Sequence, residues 1–352
     1  MAIERTVFGN IDGQPVHRYR LAHKAGLTAS FIDYGATLIG LQTPDRDGRL
    51  ADIVLGFERL EDYRSSDAYM GAICGRYGNR IKAGRFCLDG RRYQLSLNEG
   101  RNHAHGGRKG LDKQIWKAEP GADGKTLIFT HRSPDGDEGY PGTLDLRVEF
   151  ELSDANELRI DMSATADKPT IANLVHHSYF NLASHDSGDV LHQELRIAAD
   201  GYTPVDGELI PTGEIRPVKG TAFDFSEFKP IGRDIERVPY PFGHAANAGG
   251  YDHNLVLAGP SGVLRPVLQA RDPVTGRAFD LETTEPGLQF YTGAELNDAV
   301  AGKSGARYGR YGGFALETQK YPNSPNVPAF PQPRLDPGET YRHRMVFRFY
   351  AV

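Results

Sequence analysis

The sequence has little cysteine and no long apolar run. Cys74 and Cys87 are the only cysteines among 352 residues, too few to cross-link a chain of this length, so a reducing compartment is compatible and a disulfide framework is not indicated. Residues 1–13 have no apolar core like that of a signal peptide, and nowhere do about 18 apolar residues follow one another, as a membrane-spanning helix requires. We therefore expect a soluble cytoplasmic protein with no membrane partner.

Concentrated positive charge is also missing. The chain has 41 Lys and Arg against 46 Asp and Glu, a net charge of −5, and the two signs are mixed along its length. A protein that follows a phosphate backbone needs a block or stripe of basic residues, and no such block occurs. The sequence therefore argues against a nucleic-acid partner.

Residues that favour turns and strands are abundant. The chain has 41 Gly, 22 Pro, 17 Tyr and 17 Phe. Glycine and proline interrupt the backbone often, and aromatic residues favour strands. Apolar residues alternate from Leu144 to Leu152 and again from Leu158 to Met162, which predicts an antiparallel hairpin over residues 144–164, and Met345 to Ala351 alternates likewise.

Few windows have helical spacing. The recurrence of Phe57, Leu60 and Tyr63 indicates one short helix. No repeat, linker or low-complexity segment divides the chain. We therefore expect an all-β protein, a large antiparallel β-sandwich that forms one domain over residues 1–352.

The segment from His177 to Leu182 combines an imidazole, two hydroxyls, an amide and aromatic rings. A sugar presents both hydroxyl groups and C–H faces, and this mixture of side chains suits both. Within the segment, Ser178 and Tyr179 are candidates to bind such a ligand. Similar mixtures beside glycines or apolar runs occur at Asn79-Arg80, at residues 102–107 and at residues 315–319.

Two residues in these segments could transfer protons. Glu317 follows an apolar run and precedes a proline-rich loop, which places it at the end of a strand, where partial burial would make it a general base. His177 has the complementary chemistry, because imidazole can give up or take a proton near neutral pH. The alternatives are a solvated surface glutamate and a core histidine bonded to the backbone.

Three further residues could hold hydroxyl groups. A buried Arg80 needs an anionic or polyhydroxyl partner, and its alternative role is a structural salt bridge. Asp252 could accept hydrogen bonds from two adjacent hydroxyls, or it could cap a turn. Gln289 should face the side of its strand that Leu288 does not, as a ligand residue or as a solvated amide.

The spacing of His103 and His105 raises a second possibility. On a strand, two histidines two positions apart lie on one face, and with His176 or His177 they could bind zinc. The glycines after His105 and the nearby Asn102 suit equally a loop that closes over a hydroxylated ligand. Both readings remain open from the residues alone.

Taken together, these segments resemble the aldose 1-epimerase, or galactose mutarotase, family over nearly the whole chain. Six family motifs occur in order, at Gly75 to Ile81, Asn102 to Gly107, His176 to Leu182, Tyr251 to Asn254, Gln289 to Gly293 and Leu316 to Gln319. His176 stands where the family more often has Asn. Six ordered motifs are far more specific than any one of them.

The resemblance implies a galactose mutarotase-like supersandwich with an open sugar cleft, no metal and no organic cofactor. It implies interconversion of the α and β anomers of a free aldose such as galactose or glucose, with Glu317 as base and His177 as acid. The substrate-binding residues that it implies include Asn79, Arg80, His105, Asp252 and Gln289. The expected partner is a small monosaccharide, and the expected state a monomer or homodimer.

Three rival functions belong to other classes. A glycoside hydrolase would need two carboxylates, for which Glu317 and Asp252 could be proposed, although a histidine acid fits hydrolysis poorly. A non-catalytic sugar-binding or sensor protein of the same fold could dispense with His177 or Glu317, and both are present. A histidine-cluster metalloenzyme would lose its activity to a chelator.

Overall fold

A computed structural model of the chain describes residues 3–23, 26–241, 248–299 and 301–352. The described residues contain 28 strands in order, of which the first fourteen are β1 Glu4–Ile11, β2 Gln14–Ala22, β3 Thr28–Ile32, β4 Thr37–Pro44, β5 Leu50–Asp52, β6 Ile73–Cys74, β7 Arg80–Ile81, β8 Arg85–Leu88, β9 Arg91–Gln94, β10 His103–Ala104, β11 Lys117–Pro120, β12 Thr126–Ser133, β13 Leu144–Leu152 and β14 Glu157–Ala166. The others are β15 Thr170–Ile171, β16 Val175–His176, β17 Tyr179–Phe180, β18 Glu194–Ile197, β19 Ala199–Tyr202, β20 Arg216–Pro217, β21 Lys229–Pro230, β22 Asp252–Leu257, β23 Arg265–Arg271, β24 Arg277–Thr283, β25 Gly287–Tyr291, β26 Phe314–Gln319, β27 Arg334–Leu335 and β28 Tyr341–Ala351.

Helix is scarce in the described part of the chain. One α-helix occurs there, α1 at Leu60–Ser65, which confirms the short helix predicted from the spacing of apolar residues. Short 3₁₀ turns lie at Lys82–Gly84, Leu111–Lys113, Asp137–Gly139, Ile231–Arg237, Lys303–Gly305 and Ser324–Asn326. None of the helices among the described residues is both long enough and apolar enough to cross a membrane.

The strands form three large sheets. A nine-stranded sheet has the order β11-β12-β13-β14-β28-β24-β23-β18-β21, a six-stranded sheet has the order β17-β26-β25-β22-β19-β20, and β1 to β5 form a five-stranded meander. The ladders between neighbouring named strands are antiparallel. The predicted all-β antiparallel fold is therefore confirmed.

The predicted hairpin of residues 144–164 is also confirmed. Strands β13 and β14 pair from Leu144 opposite Ala166 to Leu152 opposite Leu158. Along β13 the apolar residues are buried and most residues between them are at least partly exposed, as the alternation requires. The C-terminal alternation lies in β28, which pairs with both β14 and β24 at the centre of the nine-stranded sheet.

The core lies between the sheets. The ring centroid of Phe180, on the six-stranded sheet, is 5.1 Å from that of Phe279 and 5.3 Å from that of Phe347, both on the nine-stranded sheet. Phe31 of the meander packs 4.5 Å from Phe150, also on the nine-stranded sheet. Burying such large apolar faces is the main stabilising term of the fold. That the whole chain forms one domain stays a prediction.

The six-stranded sheet has a second, polar face. Leu316 in β26 and Leu288 in β25 face the apolar core, so Glu317 and Gln289, one position later and opposite each other in the ladder, face away from it. Asp252 begins the next strand, β22, and lies on the same side. The strand period thus places three polar side chains in a row above a rigid sheet.

Candidate active site

A cleft of about 500 Å³ opens on this polar face. Strand residues form its floor, and the loop after α1 and the segment 295–299 form its rim. The lining includes the candidates Asn79, Arg80, His105, His177, Tyr179, Asp252 and Glu317. A cleft of this size with converging polar groups is the usual form of a small-molecule site.

Glu317 lies inside β26, two residues before its end, rather than at the strand end that the sequence predicted. Strands β17 and β25 flank β26, which fixes the position of the carboxylate firmly. Glu317 is 2% exposed, and its Oε2 has no hydrogen-bond partner. Burial, reinforced by the negative charge of Asp252, raises the pKa of Glu317 well above its ordinary value. Glu317 is therefore a buried carboxyl group and not a solvated surface residue.

His177 faces this carboxylate. Its Nε2 lies 3.6 Å from Oε1 of Glu317. The chain from β16 to β17 alternates, so that His177 and Tyr179 line the cleft while Phe180 points into the core. Burial and then the charge of Arg80 lower the pKa of His177 to about 4. The two groups most able to exchange protons thus stand side by side, each in a setting that favours its neutral form.

His105 approaches the same carboxylate from the loop after β10. Its Nδ1 lies 4.0 Å from Oε2 of Glu317, and its ring centroid is 5.1 Å from that of His177. The backbone N–H of Asn79 donates to His105 Nδ1 at 3.3 Å. Burial first, and then His177 and Arg80, keep the pKa of His105 well below its ordinary value. Asn79 thereby holds His105 in place as well as lining the cleft.

Arg80 and Asp252 form the second polar group of the cleft. Arg80 donates to both carboxylate oxygens of Glu99, at 2.6 and 2.8 Å, and to Asp252 Oδ2 at 3.4 Å. Burial alone would lower the pKa of Arg80, but the attraction of Glu99 and Asp252 outweighs it and raises that pKa. The sequence did not single out Glu99, although it lies next to the 102–107 motif.

Gln289 supports Asp252 from behind. It is buried, it donates to Asp252 Oδ1 at 2.6 Å, and it accepts a hydrogen bond from Gln319 at 3.2 Å. It faces away from Leu288 as the sequence predicted, but it does not line the cleft. Both carboxylate oxygens of Asp252 therefore have partners. Oδ1 accepts from Gln289, and Oδ2 accepts from Arg80 and lies 3.5 Å from the hydroxyl of Tyr240. A carboxylate with these partners is suited to holding sugar hydroxyls. It is less suited to the role of free carboxylic acid that a glycoside hydrolase needs.

Ser178 does not reach the cleft. Its Oγ lies 2.8 Å from Nε2 of His176, on the core side of the chain. The reason is the two-residue period, which turns Ser178 away when it turns His177 and Tyr179 toward the cleft. The structure thus contradicts a direct substrate contact for Ser178, which the six-residue motif suggested.

The structure also contradicts the prediction that His103 and His105 bind one zinc ion together. The chain turns at His105, which has a φ of +48°, so the two rings diverge. The ring nitrogens of His103 lie 2.8 Å from the carbonyl oxygen of Ser96 and 2.6 Å from the hydroxyl of Tyr140. Among the described residues, a different trio brings potential ligand atoms within 4.8 Å of one another: His105, His177 and Glu317. Two histidines and a glutamate could hold zinc, so the absence of a metal stays a prediction.

Comparisons with known proteins identify the family of this chain. The family model described as aldose 1-epimerase matches residues 17–348. The galactose mutarotase of Rattus norvegicus is 41% identical over 351 residues, 99% of each chain, and the aldose 1-epimerase of Escherichia coli is 36% identical over 342 residues, 97% of each chain.

Solved structures give the same result. The crystal structure of galactose 1-epimerase from Lactobacillus acidophilus has a TM-score of 0.84 at 28% identity and covers 99% of this chain and 98% of its own. An aldose epimerase homologue from C. elegans has a TM-score of 0.85 at 31% identity, over 95% and 98%. Six motifs in order, the matching sheets and full-length relatives lead to one conclusion: this chain belongs to the aldose 1-epimerase family of isomerases.

Proposed function

We propose that the protein interconverts the α and β anomers of a free aldose, with Glu317 as general base and His177 as general acid. The observation that carries this assignment is the buried carboxylate of Glu317 inside the cleft: its Oε1 faces His177 Nε2 at 3.6 Å, and its Oε2 has no hydrogen-bond partner. The anomeric hydroxyl and the ring oxygen of an aldose are attached to one carbon. A base and an acid that act on both must therefore be neighbours, as these two residues are.

The reaction is a balanced transfer of protons. In the reactive form the single proton of the pair is on His177, and Glu317 is ionised. Glu317 takes the proton of the anomeric hydroxyl, the bond between the anomeric carbon and the ring oxygen breaks, and His177 protonates that oxygen, which leaves both groups neutral. The product is the open-chain aldehyde. Rotation about the bond beside the carbonyl presents its other face, and reclosure with the transfers reversed yields the other anomer. Arg80 and His105 donate hydrogen bonds to oxygens whose charge changes, and Asn79 and Asp252 hold other hydroxyls.

The test follows the optical rotation of freshly dissolved α-galactose with and without the protein, after subtraction of the spontaneous rate. We expect faster approach to the same endpoint, unchanged after dialysis against a chelator, because proton transfer between Glu317 and His177 needs no metal. Loss of the acceleration on chelation, with recovery on adding zinc, would instead assign the trio around Glu317 to a metal. No acceleration with galactose, glucose, arabinose or xylose would leave a non-catalytic sugar-binding protein.

Asp252→Ala should raise KM by about tenfold and change kcat much less, because Asp252 holds hydroxyls that do not react. The substitution also leaves Gln289 without its acceptor and Arg80 with Glu99 as its remaining partner. Initial rates over a range of sugar concentrations separate the two constants. Asp252→Asn keeps the shape of the side chain and one acceptor oxygen, so its KM should lie between that of Asp252→Ala and that of the wild type. A fall in kcat at unchanged KM would place Asp252 in the chemistry.

The pH dependence should follow the Glu317–His177 pair as a unit, since the active form holds one proton between them. Burial lowers the pKa of His177 to about 4 and raises that of Glu317. A second proton therefore binds only near pH 4, and the single proton is lost only when the pH passes the raised pKa of Glu317. We expect a bell-shaped profile of kcat/KM with its acid limb near pH 4. An acid limb at 6.5, the ordinary pKa of histidine, would contradict this account.

We also propose that the protein works in the cytoplasm as a monomer or homodimer. Neither Cys74 nor Cys87 is in a disulfide, which is compatible with a reducing compartment. Cell fractionation tests the location, and light scattering on the eluting protein peak tests the number of subunits.

A further inference from the structure

Tyr69 lies against both imidazoles of the site, although no sequence motif indicated it. It belongs to the loop between α1 and β6, and its ring centroid is 4.6 Å from that of His105 and 5.8 Å from that of His177. The planes are tilted by 40° and 35°, so the phenol ring covers one side of the histidine pair. Tyr69 thus contacts both of the rings that face Glu317.

The loop that carries Tyr69 is bonded to the backbone of His177 itself. The N–H of Gly71 donates to the carbonyl of His177 at 2.9 Å, and the N–H of His177 donates to the carbonyl of Ala72 at 2.9 Å. The carbonyl of Tyr69 accepts from the N–H of Ala72 at 3.0 Å. The side chain and the main chain of this loop therefore position the same histidine.

The backbone of Tyr69 adopts a costly conformation. Its φ is +55°, in the left-handed region, which is a genuine outlier for a bulky residue. Gly71 follows with a φ of +75°, and a Cβ there would lie 2.0 Å from the carbonyl oxygen of Leu38. Such conformations persist where the surrounding structure over-determines them, and they concentrate at functional sites. This turn carries the Tyr69 side chain that lines the cleft.

Tyr69 also borders a second cavity. It lines the active-site cleft and a neighbouring cavity of about 450 Å³, which Asn98, Arg108 and Lys113 also line. From that side, Lys113 Nζ lies 5.7 Å from the ring centroid of Tyr69, and the Asn98 amide donates to its hydroxyl at 3.5 Å. Removing the ring would widen the cleft toward the neighbouring cavity and expose the side of the imidazoles that the ring now covers.

We propose that Tyr69 is a positioning residue for anomer interconversion, whose ring holds His177 and His105 against Glu317 and closes the cleft toward the neighbouring cavity. This inference rests on the proposed function. Tyr69 acts through the histidines, because its hydroxyl is directed toward Asn98 and its ring face toward the imidazoles.

The kinetic test compares Tyr69→Ala with Tyr69→Phe. Without the ring, kcat should fall by about tenfold or more while KM changes less than about threefold, because misplaced acid–base groups cost turnover rather than affinity. The phenylalanine, which keeps the ring, should restore most of kcat. Tyr93→Ala is the matched control, since Tyr93 is a partly buried aromatic residue that stacks on Phe86 away from the cleft. Wild-type kcat in Tyr69→Ala, or an equal loss in Tyr69→Phe, would overturn the proposal.

A titration separates positioning from a merely structural role. The groups that face His177 are Glu317 from β26, His105 from the loop after β10, Arg80 from β7, and the rings of Tyr69 and Tyr179. Burial holds the pKa of His177 at about 4. Opening the wall relieves that burial, so in Tyr69→Ala the pKa of His177 should rise toward the ordinary value for histidine.

Carbon-labelled histidine followed by NMR measures this shift in the sugar-free protein, with His177→Asn to assign the signal. Tyr69→Leu replaces the alanine variant where the latter does not fold. An unchanged pKa of His177 would overturn the proposed wall. Because the titration needs no turnover, it stays informative where the polarimetric test of the function fails, so the two failures are distinguishable.

Discussion

Glu317→Gln is expected to lower kcat by about a hundredfold or more without destabilising the protein. The amide has the shape of the carboxyl group but cannot take the proton of the anomeric hydroxyl. Glu317 is buried, and its Oε2 is unpartnered. Folding therefore desolvates an acidic group with little compensation, and burial raises its pKa well above the ordinary value. The neutral amide removes that cost, so the melting temperature Tm should stay the same or rise.

Glu285→Gln is the matched control. Glu285 is also 2% exposed, but it pairs with Lys320 at 3.2 Å and does not line the cleft. Its substitution should lower Tm, because it leaves a half-buried lysine without its carboxylate, and should leave kcat unchanged. Calorimetry and polarimetry should therefore show lost turnover at an unchanged or higher Tm for Glu317→Gln, and unchanged turnover at a lower Tm for Glu285→Gln. Full turnover in Glu317→Gln would remove this residue from the chemistry.

Much of the fold could be predicted from local patterns in the sequence. Alternation over residues 144–164 predicts a hairpin because one face of each strand must be buried, and the observed register matches it. The order of the strands in the nine-stranded sheet could not be predicted this way. The neighbours β14 and β28 are far apart in the chain, since β14 ends at Ala166 and β28 begins at Tyr341, and their pairing depends on which faces fit together in three dimensions.

For the site too, residues within sequence motifs could be predicted, whereas residues that only the fold brings together could not. His177 and Glu317 belong to recognisable motifs, and the sequence predicted both. The two-residue period, applied to the six-residue motif, would have turned Ser178 away from the cleft. No such rule identifies Tyr69 or Glu99, because the contact between Tyr69 and His177 and that between Glu99 and Arg80 join segments that are distant in the chain.

His177→Asn should reduce kcat by about a hundredfold or more, the usual range for a positioned acid, with little change in KM. Asparagine can still donate a hydrogen bond to the ring oxygen, but its amide cannot transfer a proton to it. The backbone bonds of residue 177 to Gly71 and Ala72 do not involve the side chain, so the segment between β16 and β17 should keep its place. Initial rates by polarimetry at saturating sugar measure the loss.

The neighbouring histidine provides the control for that loss. His176 is equally buried but faces the core, where its ring bonds to Ser178, so His176→Asn should keep kcat within about threefold of the wild type. The double variant of His177→Asn and Glu317→Gln tests whether the two residues act as a unit. Its kcat should be close to that of either single variant, because one proton transfer is useless without the other. Strictly additive losses would mean that each residue assists the reaction independently, contrary to the shared proton cycle.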